Sequence, residues 1–183
     1  MLHIGSWKTK NGRQLRIVGL PGLDSIESVI KRASALAEAF RERNKTVVLV
    51  NVDGGSLGRT EQPRQTGSRP DGWTELIPEL NRQPGDIVVT KRTWGAFAST
   101  DLEAQMKGRG VTQVVIAGVA TAIGVESTAR QAYEQGFNVT LALDAMADPR
   151  AEAHRSSISN VFPRLGETGS TQEIINLLAT TNG

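Results

Sequence analysis

The sequence predicts an α/β fold, a three-layer α/β/α, Rossmann-like sandwich built on a mainly parallel sheet. Three observations carry this. Residues 46–52 (TVVLVNV) and 111–117 (VTQVVIA) are β-branched apolar runs, the composition of strands buried on both faces. Residues 25–43 instead place Ile26, Val29, Ile30, Ala33, Leu36, Ala37 and Phe40 at spacings of three and four, which is one face of a helix. Strand and helix patterns then alternate along the chain. Such alternation requires crossover connections and puts helices on both sides of a parallel sheet.

The elements follow in order. The helix over 25–43 takes Asp24 or Ser25 as its N-cap. After the strand at 46–52, residues 54–73 form a polar stretch without periodicity, of a length that points to a lid or binding loop. A short helix is expected over 73–80 and a strand over 87–90. A helix at 99–109, the strand at 111–117, a helix at 125–135 ending at Gly136, and a strand at 137–143 come next. A helix over 150–161 precedes a last one over 170–179, where Ser170 and Glu173 have the spacing of a capping box.

Composition limits the function classes. At 183 residues the chain suits one domain, and with only 4% aromatics its core must be mostly Val, Ile, Leu and Ala. The net charge is +2, and Lys8, Lys10, Arg13 and Arg16 are too dispersed for a nucleic-acid surface; they read as a solvated tail. No apolar run reaches membrane-spanning length and no signal-peptide pattern opens the chain, so a cytoplasmic location is the expectation. The absence of cysteine excludes disulfides and thiol catalysis. Histidines occur only at positions 3 and 154, and Asp53 is followed by Gly54 and Gly55, so neither a metal nor another cofactor is expected. No G-x-G-x-x-G follows a strand and no P-loop is present, which argues against a nucleotide-binding module.

Two segments carry candidate chemistry. Lys91 ends the strand at 87–90, at the strand edge where open α/β sheets build sites. A partly desolvated ammonium there stabilises a developing anion or holds a carboxylate; the alternative is an ordinary surface lysine. Trp94 and Phe97 follow it, either as pocket walls or as core aromatics. The second segment, residues 118–129 (GVATAIGVESTA), is a small-residue turn between strand and helix. Amides at such a helix start can bind an anion.

The second segment resembles the nucleophile turn of the isochorismatase-like cysteine hydrolases, G-V-x-T-x-x-C-V-x-x-T-A. Every fixed position matches except the nucleophile, which is Gly124 here. The stretch from Lys91 to Phe97 resembles the family's second motif, so the resemblance makes Lys91 catalytic and reverses the surface reading. It also implies that Trp94, Phe97, Val119, Ala120 and Thr121 contact substrate. The likeness extends over residues 17–179 and implies the family's fold. Asp144-Ala145-Met146 matches a structural turn after the family's fifth strand, and His154 a helix position commonly histidine; a structural role is expected for both.

The family's acidic residue, in a V-I-D-x-Q motif ending the first strand, falls on Gly12. Residues 6–11 are too polar for a buried central strand. Residues 1–16 are therefore read as an atypical segment and 17–183 as a single domain. Residues 15–20 are a possible replacement strand, with Asp24 near its end. A branch of the family with glycine at the nucleophile position hydrolyses vinyl ethers by protonation and water addition, which needs no thiol. The resemblance thus implies a hydrolase-like protein that acts on or binds a small carboxylate-bearing molecule without thiol chemistry. Asp24 or Asp53 would be its proton donor. The alternative is an inactive small-anion binding or assembly protein. A homodimer or homotetramer is expected by resemblance, with helix 125–135 a candidate interface.

Overall fold

The structure, a computed structural model, describes residues 2–3, 25–55, 58–61 and 71–180. Among these, six parallel strands form one sheet: β1 (Leu2–His3), β2 (Val48–Val52), β3 (Ile87–Lys91), β4 (Gln113–Val119), β5 (Asn138–Ala147) and β6 (Gly166–Gly169). Their order is β3-β2-β1-β4-β5-β6. The helices are α1 (Ile26–Glu42), α2 (Leu102–Gly108), α3 (Glu126–Glu134), α4 (Ala151–Ser156) and α5 (Thr171–Thr180).

Side chains alternate across the pleat and so divide the core into two. Val48, Val50 and Ile116 face Leu102, Met106, Val125, Ala129 and Ala132, the layer of α2 and α3. Leu49 and Ala117 face Ala33, Leu36, Ala37 and Ile174, the layer of α1 and α5. This is the three-layer sandwich expected from the buried strands.

The centre of the sheet is filled by a segment that the sequence pattern does not single out. Leu2 pairs with Leu49 and Ala117, and His3 with Val50 and Gly118. A strand this short satisfies its neighbours through backbone bonds and needs no long apolar run. Gly12, residues 15–20 and Asp24 lie outside the described residues.

Other boundaries shift for identifiable reasons. Over 73–80 only Pro78–Leu80 is helical, as a 3₁₀ helix, because Ile77 before the proline is extended (φ −67°, ψ 138°). The helix expected over 150–161 stops as α at Ser156 and widens through Ser157–Val161. The strand expected to end at 143 runs to Ala147, so Asp144, Ala145 and Met146 lie in a strand rather than a turn. The strand is irregular there: the register passes from Ile116↔Leu141 to Gly118↔Met146, so that β5 bulges against β4.

Asp144 sits in that bulge and joins layers. Its Oδ1 accepts from the Thr171 amide at 2.7 Å and the Thr171 hydroxyl at 2.8 Å, fixing the start of α5. Arg32 of α1 reaches its Oδ2 at 3.4 Å and donates to its carbonyl at 2.9 Å. The caps read from sequence are present. Ser25 accepts from the Ser28 amide at 3.2 Å; the Ser170 amide donates to Glu173 at 2.7 Å and the Glu173 amide to Ser170 Oγ at 3.3 Å.

Strand β6 has no sequence signal, being Gly-Glu-Thr-Gly at an edge. Gly166 is required there by packing, since a Cβ would run into the Val139 carbonyl of β5. Gly166→Ala is expected to destabilise the fold by about 1–3 kcal/mol. Asp144→Ala is expected to cost about 2 kcal/mol through the unpaired Thr171 donors. Urea unfolding at neutral pH measures both.

Candidate active site

Lys91 is the last residue of β3 and pairs with Val52. Alternation along β3 turns it to the same face as Val89 and Ile87, the α3 side of the sheet. It is 1% exposed, the largest of the fully buried side chains. Its Nζ donates to the Trp94 carbonyl, and among the described residues no carboxylate lies within ion-pair distance. Burial in this setting pushes the ammonium down from 10.5 to about 7. Both protonation states are therefore populated near neutral pH. The surface-lysine alternative does not hold.

The loop after Lys91 is held by α3, and this is how the two sequence motifs meet. The Ala96 amide donates to Thr128 Oγ1 at 3.1 Å, and the Phe97 and Ala98 amides donate to Gln131 Oε1 at 3.0 and 3.3 Å. Thr128 is fully buried. The threonine near the end of the turn motif thus acts on the lysine loop, not on the turn itself.

Of the two aromatics read as pocket walls or as core, only Phe97 is core. Trp94 turns its carbonyl to Lys91 and is 64% exposed as a residue. Phe97 is 4% exposed and packs against Phe137 with ring centroids 5.7 Å apart, which settles the core reading for it.

The turn after β4 begins at Gly118, whose φ of +128° favours glycine, and passes a cis Val119–Ala120 peptide. Thr121–Val125 then makes a wide π turn into α3. Val119, Ala120, Thr121 and Gly124 are all buried. Gly124 has no positive φ, so the backbone there accepts any L residue and does not explain the glycine.

Much of this turn's hydrogen-bonding capacity is used internally, which corrects the expectation that its amides as a group bind an anion. The Ala122 amide donates to Asp148 Oδ2 at 2.9 Å, and the Ile123 and Val125 amides to the Ala120 carbonyl at 3.2 and 3.1 Å. The Thr121 hydroxyl shares a 2.8 Å hydrogen bond with His154 Nδ1, so both side chains are buried structural partners. Asp148, 1% exposed, also accepts from the Arg150 amide at 2.9 Å. Sequence reasoning missed Asp148. Its signal was an acidic residue directly after an apolar strand and before Pro149, at the edge where sites form.

Register relates the two halves of the site. Val50, His3 and Gly118 form one row across the sheet. Lys91, paired with Val52, stands two residues beyond that row, as does Ala120. With strands about 4.8 Å apart, three spacings separate them by roughly 14 Å across the ends of β2 and β1. Asp53 lies at this edge, its amide donating to the Lys91 carbonyl at 2.9 Å. Its side chain is 46% exposed and lies 3.8 Å from Arg92, a solvated pair of little energetic weight.

Lys91 also makes stability depend on pH. The unfolded chain keeps this proton up to about 10.5, whereas the folded protein releases it near 7. Between those values the unfolded state binds more protons, so stability rises with pH through this window and is flat below it. Urea unfolding of wild type and Lys91→Met across this range is expected to show the difference narrowing as pH rises.

The Isochorismatase domain family matches residues 14–173. The isochorismatase family protein YwoC of Bacillus subtilis (strain 168) is 40% identical over 164 residues, 86% of this chain and 87% of that protein. Ureidoacrylate amidohydrolase RutB of Variovorax paradoxus (strain S110) is 33% identical over 110 residues, 59% of this chain and 44% of that protein. Among solved structures, an isochorismatase family protein from Burkholderia thailandensis superposes with a TM-score of 0.84 at 34% identity, covering 98% of this chain and 95% of that one. With the strand–turn–helix of residues 118–129 and the buried Lys91 in the arrangement just described, the chain belongs to the isochorismatase family of hydrolase-like proteins.

Proposed function

We propose that this protein is a thiol-independent hydrolase whose Lys91 ammonium holds the carboxylate of a small substrate. The observation that carries the reading is a buried lysine at the C-terminal edge of the sheet with no carboxylate partner among the described residues. A desolvated cation in such a place gains more from an arriving anion than from water it has already lost. Glycine at position 124 leaves no side chain to form an acyl intermediate. The compatible chemistry is therefore proton transfer and water addition, as in hydrolysis of an enol ether. Asp53 is the described carboxylate closest in connectivity to Lys91 and is the candidate proton donor.

The substrate test is turnover of vinyl ethers, amides and esters that bear a carboxylate, followed by product analysis. Lys91→Ala is expected to lower kcat/KM by about 10²–10⁴-fold, and Asp53→Asn to lower kcat, if vinyl ethers turn over. Benzoate binding, followed by calorimetry, is expected to weaken as pH rises past about 7, because only the ammonium form pairs with the anion. Absence of turnover across all three classes would sink the hydrolase reading.

A second reading is a non-catalytic small-anion binding protein. It is favoured by the missing side chain at Gly124 and by the internal use of the Ala122 and Ile123 amides. It predicts the same benzoate binding and loss in Lys91→Ala, without turnover.

A further inference from the structure

Two buried side chains from the segment after β5 reach under the turn at 120–125. Asp148 Oδ2 accepts from the Ala122 amide, and His154 bonds the Thr121 hydroxyl. The contacts fall on consecutive residues of the turn, and Thr121, Asp148 and His154 are all at least nine-tenths buried. The second oxygen of Asp148 is held by the Arg150 amide at the start of α4, so the carboxylate is fixed from its own side of the sheet. No ion pair to a described residue offsets its charge; two backbone amides do that work. A carboxylate accepting charge-assisted bonds from two separate loops locks their relative position more firmly than a neutral bond would.

We infer that Asp148 is a positioning residue for the carboxylate site: it orients the β4–α3 turn opposite Lys91 by occupying the Ala122 amide. The inference rests on the proposed reading of that edge as a carboxylate-binding site. It gives Asp148 two consequences. The turn is held in one conformation before any ligand arrives, and an incoming anion is denied the Ala122 amide and is directed toward Lys91. Removing the carboxylate would free that amide and leave the Thr121–His154 hydrogen bond as the remaining described side-chain tie on the turn, since the Ile123 and Val125 amides bond within the turn, to Ala120.

The experiment compares wild type, Asp148→Ala and Asp148→Asn, with Asp86→Asn as control. Asp86 is likewise a buried carboxylate that accepts bonds, from Arg41 at 2.7 Å and the Gln83 amide at 2.8 Å, but lies before β3 at the other end of the sheet. Two readouts are taken on the folded proteins: amide chemical shifts and exchange rates for residues 120–125, and the Kd for benzoate. Asparagine keeps the shape and one acceptor, and serves if the alanine variant does not fold. The expected result is perturbed amides throughout 120–125 and benzoate binding weakened on the order of ten- to a hundredfold, with neither change in Asp86→Asn. Perturbation confined to Ala122 and Arg150, or unchanged benzoate affinity, overturns the inference. If wild type binds no benzoate, the carboxylate-site reading fails on its own, and the spread of the amide perturbation alone then decides whether Asp148 positions the turn.

Discussion

Burying one ammonium organises the C-terminal edge of the sheet around β3. Lys91 ends a central-layer strand with almost no exposure, and an ion in that position loses several kcal/mol of hydration unless other dipoles replace it. The described replacement is a single carbonyl, that of Trp94, three residues on. For that carbonyl to point inward, the chain must reverse sharply after β3. The reversal is held by Thr128 and Gln131 of α3, which accept from the amides of Ala96, Phe97 and Ala98. The lysine, its loop and the helix after the turn motif are thus one mechanical unit. The depressed ammonium pKa follows from the same burial.

The other half of the edge is built by different means. The turn after β4 has small buried residues and almost no side-chain chemistry, and it is supported from beneath by Asp148 and His154. A family trait is displaced by this arrangement. Where the resemblance leads one to look for a nucleophile, Gly124 has no side chain, in a backbone conformation that would accept one. In the proposed reading the reacting groups are Lys91 and Asp53, and the turn shapes the site.

The legibility of this protein in its sequence was uneven for physical reasons. Strands β2 and β4 are readable because burial on both faces forces continuous apolar runs, and α1 because one buried stripe leaves a period. Strand β6 is not, because an edge strand of Gly-Glu-Thr-Gly buries little and is held by backbone pairing with β5. The placement of Leu2–His3 at the sheet centre is not legible because a two-residue strand is too short to show a pattern. Within the candidate site, position and motif single out Lys91 in the sequence. They do not single out Asp148, since a single acidic residue at a strand end looks like solvated surface until the amides facing it are known. For Trp94 a sequence shows which residue follows a lysine but not that its carbonyl turns toward the ammonium.

The central claim is that Lys91 is a desolvated cation awaiting an anion. Nitrogen-detected titration of the Lys91 Nζ by NMR, with and without benzoate, tests it most directly. A midpoint near 7 in the free protein, moving upward when benzoate is added, is the predicted result. A midpoint near 10.5 that benzoate leaves unchanged would contradict it, and would return Lys91 to the status of an ordinary solvated lysine.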